Sequence, residues 1–96
     1  DLLIEEALSF PMAVFGGRFR VNTLEGRRTL RIPARTKSRT EFLIEGEGFP
    51  DPVSGEHGDL YVIVYVDPPD EIPPKAKKLL KKYAIEMGED PDDLDI

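Results

Sequence analysis

Apolar and polar positions alternate along most of the chain, and then the period changes. Residues Leu2 to Leu8 are apolar-rich and predict a strand. Ser9 is placed to cap a single helical turn, with Pro11 near its start and Gly16-Gly17 ending it. The stretch RFRVNTLEGRRTLRI, residues 18–32, predicts a hairpin. Phe19 and Val21 alternate with Arg18 and Arg20, and Leu30 and Ile32 alternate with Thr29 and Arg31. Period two of this kind gives one apolar and one basic face. Gly26 can take the positive φ of a tight turn between the two runs. A loop, PARTKSRT, leads to a short strand, EFLIEG. DLYVIVYV, residues 59–66, is apolar on both faces, as in a central strand covered on both sides or one whose second face meets a partner. The prolines of DPPDEIPP then end the sheet.

From Pro74 to Met87 the spacing becomes helical. Ala76, Leu79, Leu80, Tyr83, Ala84 and Met87 fall on one stripe, with five lysines largely off it. Prolines mark the start and Gly88 the stop. The stripe has two uses: folding back on the chain's own sheet or packing against another copy. The acidic end, EDPDDLDI, predicts a frayed or disordered tail. The expected architecture is mostly β: a small β-sandwich-like domain over residues 1–68 with one short helical turn. A proline linker, amphipathic helix and acidic tail follow over residues 69–96.

Composition narrows the functional classes. The chain has 96 residues and no cysteine, so neither a disulfide framework nor a thiolate metal site supplements a modest core. The lack of cysteine fits a reducing compartment. No apolar run approaches the roughly 20 residues of a membrane span. The N-terminus has no basic region or cleavage site of a signal peptide and begins within a strand, which suggests an excised domain. Net charge is −6, which disfavours general nucleic-acid binding. The distribution is uneven. Eight bases and one acid lie between Arg18 and Arg39, whereas nine acids and no Lys or Arg lie between Thr40 and Pro74. Arg18, Arg20, Arg27 and Arg31 are therefore a candidate face for an acidic peptide or for the chain's own tail.

No constellation for catalysis emerges. The glycine loop, EGEGFPDPVSGEHG, lacks the Gly-Lys-Ser/Thr of a phosphate loop and is acidic, so its glycines serve backbone geometry. His57 is the sole histidine and has no nucleophile with an orienting partner near it in sequence. Glu45 and Glu47 read as solvated surface rather than an acid–base pair. No metal-ligand spacing is present. The expectation is a non-enzyme with no metal and no cofactor.

The order of these pieces resembles the second C-terminal β-domain of DnaJ-family co-chaperones. The resemblance rests on the SF…A…G turn, on VNTLEGRRTLRIP and on GEGFP. It also rests on GDLYVIVYV, and it spans roughly Asp1 to Val66. It implies a β-domain of the DnaJ C-terminal type. It also implies a dimerisation helix after the prolines, with Ala76, Leu79, Leu80, Tyr83 and Met87 at the dimer interface. By the repeated fold, Ile4, Glu6 and Phe19 would lie near a shallow groove that receives extended client polypeptides by strand addition. The charge of Glu6 should keep that binding weak. The implied partners are a second copy of the chain, unfolded clients and, through the parent protein, a seventy-kilodalton heat-shock chaperone, in the cytoplasm and away from membranes. The chain itself carries no J-domain motif, Gly/Phe linker or zinc-binding cysteine. Arg35 and Arg39 stand where the family usually has glycine, which should make that loop stiffer and more basic. A competing expectation, from the residues alone, is a scaffold domain of a larger assembly whose basic hairpin face binds an acidic partner.

Overall fold

The computed structural model describes residues 1–96. Its strands are β1 (Leu2–Leu8), β2 (Gly17–Thr23), β3 (Gly26–Ile32), β4 (Glu41–Ile44) and β5 (Leu60–Val66). Its helices are α1 (Phe10–Phe15) and α2 (Pro74–Glu86), and a 3-10 turn follows at Pro91–Asp93.

The apolar run of β5 becomes the centre of a three-stranded sheet. β1 lies parallel to it on one side and β4 antiparallel on the other. The hairpin of β2 and β3 forms a separate antiparallel sheet with Phe19 opposite Leu30 and Gly17 opposite Ile32. Alternation then decides the packing. Leu60, Val62 and Val64 point to one face of β5, and Val21 and Ile32 to one face of the hairpin; with Leu8 they form the buried core. Leu2, Ile4, Met12, Phe19, Leu30 and Phe42 pack around it, half-buried. The expected sandwich is therefore present. The second face of β5 is not covered. Tyr61, Ile63 and Tyr65 are only half-buried, and their cross-strand neighbours Leu3 and Leu43 are exposed.

The helical turn forms as its residues dictate. The Ser9 hydroxyl accepts from the Met12 N–H at 3.2 Å, and Gly16 closes α1 at φ 73°. A Cβ at Gly16 would run into the carbonyl oxygen of Ile32, so the close passage of α1 over β3 requires glycine there.

The molecule is long, with principal extents of 62 × 21 × 19 Å and a Cα radius of gyration of 17.9 Å. A compact chain of this length would have about 12–13 Å. The elongation comes from α2, which buries only Ala84. The acidic end is not the frayed tail that its composition suggests. The Asp90 carboxylate accepts from the Asp92 N–H at 2.9 Å and caps the 3-10 turn. The turn brings the half-buried Leu94 beside Ile72, Leu80 and Ala84, where the linker, α2 and the tail line a groove of about 590 Å³. The apolar residues within the tail, Leu94 and Ile96, outweigh its charge because the carboxylates can stay in water while the side chains fold over α2.

Candidate functional site

Three surfaces and one clasp carry the residues singled out above. The first surface is the α2 stripe. Leu79 and Met87 are each 66% exposed, Leu80 51% and Tyr83 41%, and Ala76 is also exposed. The stripe is divided rather than uniform. Leu80, Tyr83 and Ala84 line the groove against linker and tail, while Leu79 and Met87 lie outside it. The Tyr83 ring also meets Phe10 of α1 edge-on, with centroids 5.9 Å apart, which anchors the helix to the sandwich at one point.

The second surface is the inner rim of the sandwich. Ile4, Glu6 and Phe19 are all half-buried. Ile4 and Phe19 pack against the core cluster from β1 and β2, so both are partly structural. Glu6 stands opposite the fully buried Val64 on the core-facing side of β1. Its carboxylate has no protein hydrogen-bond partner and is not sealed from water.

The third surface is the outer face of the hairpin. Register places Arg18 directly opposite Arg31, Arg20 opposite Thr29 and Arg27 opposite Asn22. All four arginines are exposed, and none has a carboxylate within ion-pair distance. Like charges directly opposite one another weaken a strand pair. Arg28 belongs to the other face. Alternation turns it inward opposite Val21, and it leaves the core by reaching over the rim.

What Arg28 reaches is the clasp, which the sequence did not disclose. Its Nε donates to Glu47 Oε1 at 2.7 Å. The Thr23 hydroxyl lies 3.1 Å from Glu47 Oε2 and 2.6 Å from the Gly26 carbonyl, so its single proton serves two acceptors. The Arg28 guanidinium holds the Glu47 carboxyl below the usual glutamate range, and the Thr23 hydroxyl adds to this. His57 Nδ1 sits 2.9 Å from the Gly48 carbonyl, and its Nε2 is 3.4 Å from Glu25 Oε1 at the hairpin tip. Glu47 is therefore not an idle surface group: through Arg28 and Thr23 it ties the glycine loop to the end of the hairpin. His57 donates from Nδ1 to the loop's own Gly48 carbonyl and bonds Glu25 only when Nε2 also carries a proton. Within that loop Gly48 is buried, and a Cβ there would strike the Asp59 carbonyl oxygen. The loop's Asp51 carboxyl is lowered by hydrogen bonds from the backbone N–H groups of Ser54 and Val53. These glycines serve chain geometry, as expected. Two signals could have disclosed the clasp: Glu47 lies between two glycines, and Arg28 falls on the apolar phase of β3.

No group of three or more His, Cys, Asp or Glu side chains is arranged to hold a metal ion. No helix is long and apolar enough to cross a membrane.

Comparison with known proteins places these features in a family. The model of the DnaJ C terminal domain matches residues 1–69. A chaperone protein DnaJ of Haloarcula marismortui is 41% identical over 88 residues, covering 92% of this chain and 23% of that protein. The chaperone protein DnaJ of Haloquadratum walsbyi is 41% identical over 92 residues, covering 96% of this chain and 24% of its own. That of Opitutus terrae is 36% identical over 89 residues, with 93% and 23% covered. The chain thus spans about a quarter of the length of the curated relatives it matches.

Proposed function

Because this chain belongs to the DnaJ C-terminal domain family, we propose that it is the C-terminal part of a DnaJ-like co-chaperone and joins two copies through α2. The observation that carries the reading is the apolar stripe of a projecting helix, exposed at Leu79, Leu80, Tyr83 and Met87, with Ala76 beside it. Apolar side chains gathered on one unpartnered surface favour association. A dimer would hold two client-binding arms in one molecule and raise avidity for extended clients without new contacts. Ile4 and Phe19 offer an apolar rim for strand addition, and the unpaired Glu6 carboxylate keeps that binding weak. The role is non-enzymatic, with no metal or cofactor. The parent protein would work in the cytoplasm beside a seventy-kilodalton heat-shock chaperone.

Sedimentation equilibrium of the chain beside Leu79→Asp/Met87→Asp tests this. Both residues lie outside the tail groove and the Phe10 contact, so their loss leaves the internal packing of α2 in place. The expected result is a dimer for the parent chain and a folded monomer for the variant. A parent chain that stays monomeric at high concentration refutes dimerisation through α2.

A second reading is favoured by the Arg18–Arg31 pairing, a like-charge contact that nothing in the chain offsets. It assigns the hairpin face, with Arg20 and Arg27, to an acidic partner of a larger assembly. Fluorescence anisotropy with labelled polyglutamate in rising salt checks it. Steep weakening with salt, lost in Arg18→Gln/Arg31→Gln, is the expected outcome. Salt-insensitive binding would count against it.

A further inference from the structure

The loop between β3 and β4 holds two non-glycine residues at positive φ, Arg35 at 59° and Arg39 at 74°. Every other positive-φ position in the chain is glycine. In this left-handed region a Cβ crowds the following carbonyl, and glycine avoids that cost. The loop cannot relax to relieve it. The Arg35 N–H donates to the Val14 carbonyl at 3.0 Å and the Thr36 N–H to the Ala13 carbonyl at 2.9 Å, which straps the loop to α1. The Arg39 N–H donates to the Val64 carbonyl at 2.7 Å, and the Val66 N–H to the Ser38 hydroxyl at 3.0 Å, which straps it to β5. Threonine hydroxyls close both turns, Thr36 onto the Pro33 carbonyl at 2.7 Å and Thr40 onto the Lys37 carbonyl at 2.6 Å.

The side chains give nothing back to the fold. Arg35, Lys37 and Arg39 are exposed, and none has a carboxylate within ion-pair distance. Strain that persists because the surroundings over-determine it, with no local return, points to a use outside the chain. The same loop walls a groove of about 380 Å³. Phe10, Ala13, Val14 and Val66 supply its apolar lining, and Arg35 and Lys37 its charge.

We propose that this groove and its strained basic loop form a recognition site for an extended polypeptide segment of a partner protein, one in which carboxylates alternate with aliphatic side chains. Aliphatic groups enter the groove beside Val14 and Val66. Carboxylates meet the guanidinium fork of Arg35, whose planar donors suit two-point contact, and the Lys37 ammonium beside it. A loop held rigid before binding loses little freedom on binding. Single-stranded nucleic acid fits less well. Such binders stack bases on aromatic rings, and Phe10, the one aromatic of the groove, already meets Tyr83 edge-on.

Arg35→Gly/Arg39→Gly tests the inference, because both positions already hold a glycine-like backbone and the variant should fold. Relief of strain, partly offset by the greater freedom of unfolded glycine, should raise Tm by about 2–6 °C. Affinity for a labelled peptide alternating Glu and Leu should fall at least about tenfold by fluorescence anisotropy. The hairpin arginines remain intact in this variant, so polyglutamate binding by the hairpin face would not change. Four results would overturn the proposal: no binding of the peptide by the parent chain, equal binding by parent and variant, equal binding of the Gln–Leu counterpart, or an oligothymidylate bound as tightly as the peptide. A fall in Tm would remove its premise of strain.

Discussion

The sandwich and the helical arm are built from similar apolar side chains and bury them to different extents. In the sandwich, Leu60, Val62, Val64 and Val21 are fully buried between two sheets. In the arm, a helix of 13 residues buries one alanine. An isolated helix of about this length is marginal in water, and most helical stability in proteins comes from packing an apolar face. The sandwich therefore finds its stabilisation within the chain. The arm finds part of its own in the tail groove and at Phe10, and leaves Leu79 and Met87 exposed.

The contrast breaks first, if it breaks, at the core. Leu60→Ala removes a fully buried side chain from a small core and should cost about 2–5 kcal/mol, measured by urea unfolding. For a domain of this size that lowers Tm by more than about 8 °C. Leu79→Asp/Met87→Asp should leave protection of the β5 amides from hydrogen exchange within about 0.5 kcal/mol of the parent when both are compared as monomers. Equal losses from the two substitutions would mean that the arm belongs to the core after all, and the comparison would collapse.

What the sequence disclosed follows the same division. The hairpin was legible because period two assigns the residues on either side of its turn to faces, and the structure keeps that assignment even for Arg28. The helix was legible because its stripe and its proline start need only local information. The parallel pairing of β1 with β5 was not, since nothing local links residues nearly sixty positions apart. The tail was misjudged because composition weighed its acids and not the placement of Leu94 and Ile96 over α2. Glu47, read as solvated surface, was misjudged for a related reason. Its partners Arg28 and Thr23 belong to a hairpin end brought beside the glycine loop only by the fold.

The clasp offers the smallest effect and the finest test, because it joins two loops of the sandwich without adding to its core. Glu47 titrates below the usual glutamate range in the folded chain, chiefly through its hydrogen bond from Arg28. A carboxyl depressed by folding stabilises the folded state above its unfolded pKa, near pH 4, and loses that contribution as pH falls through the folded value. The parent chain should thus lose more stability than Glu47→Gln between neutral pH and about pH 3. Asp51 is depressed in the same direction by its backbone donors and remains in both chains, so the difference between the two pH profiles isolates Glu47. Arg28 is a partly exposed partner, which makes the effect modest and reduces it further in high salt. Parallel profiles would mean that the Arg28–Glu47 contact adds no net stability and that the glycine loop is held by its own backbone bonds, such as the Gly48 N–H to the Gly58 carbonyl at 3.0 Å. Stability in the sandwich would then reside wholly in its apolar layer, which would sharpen its difference from an arm whose apolar layer is still open.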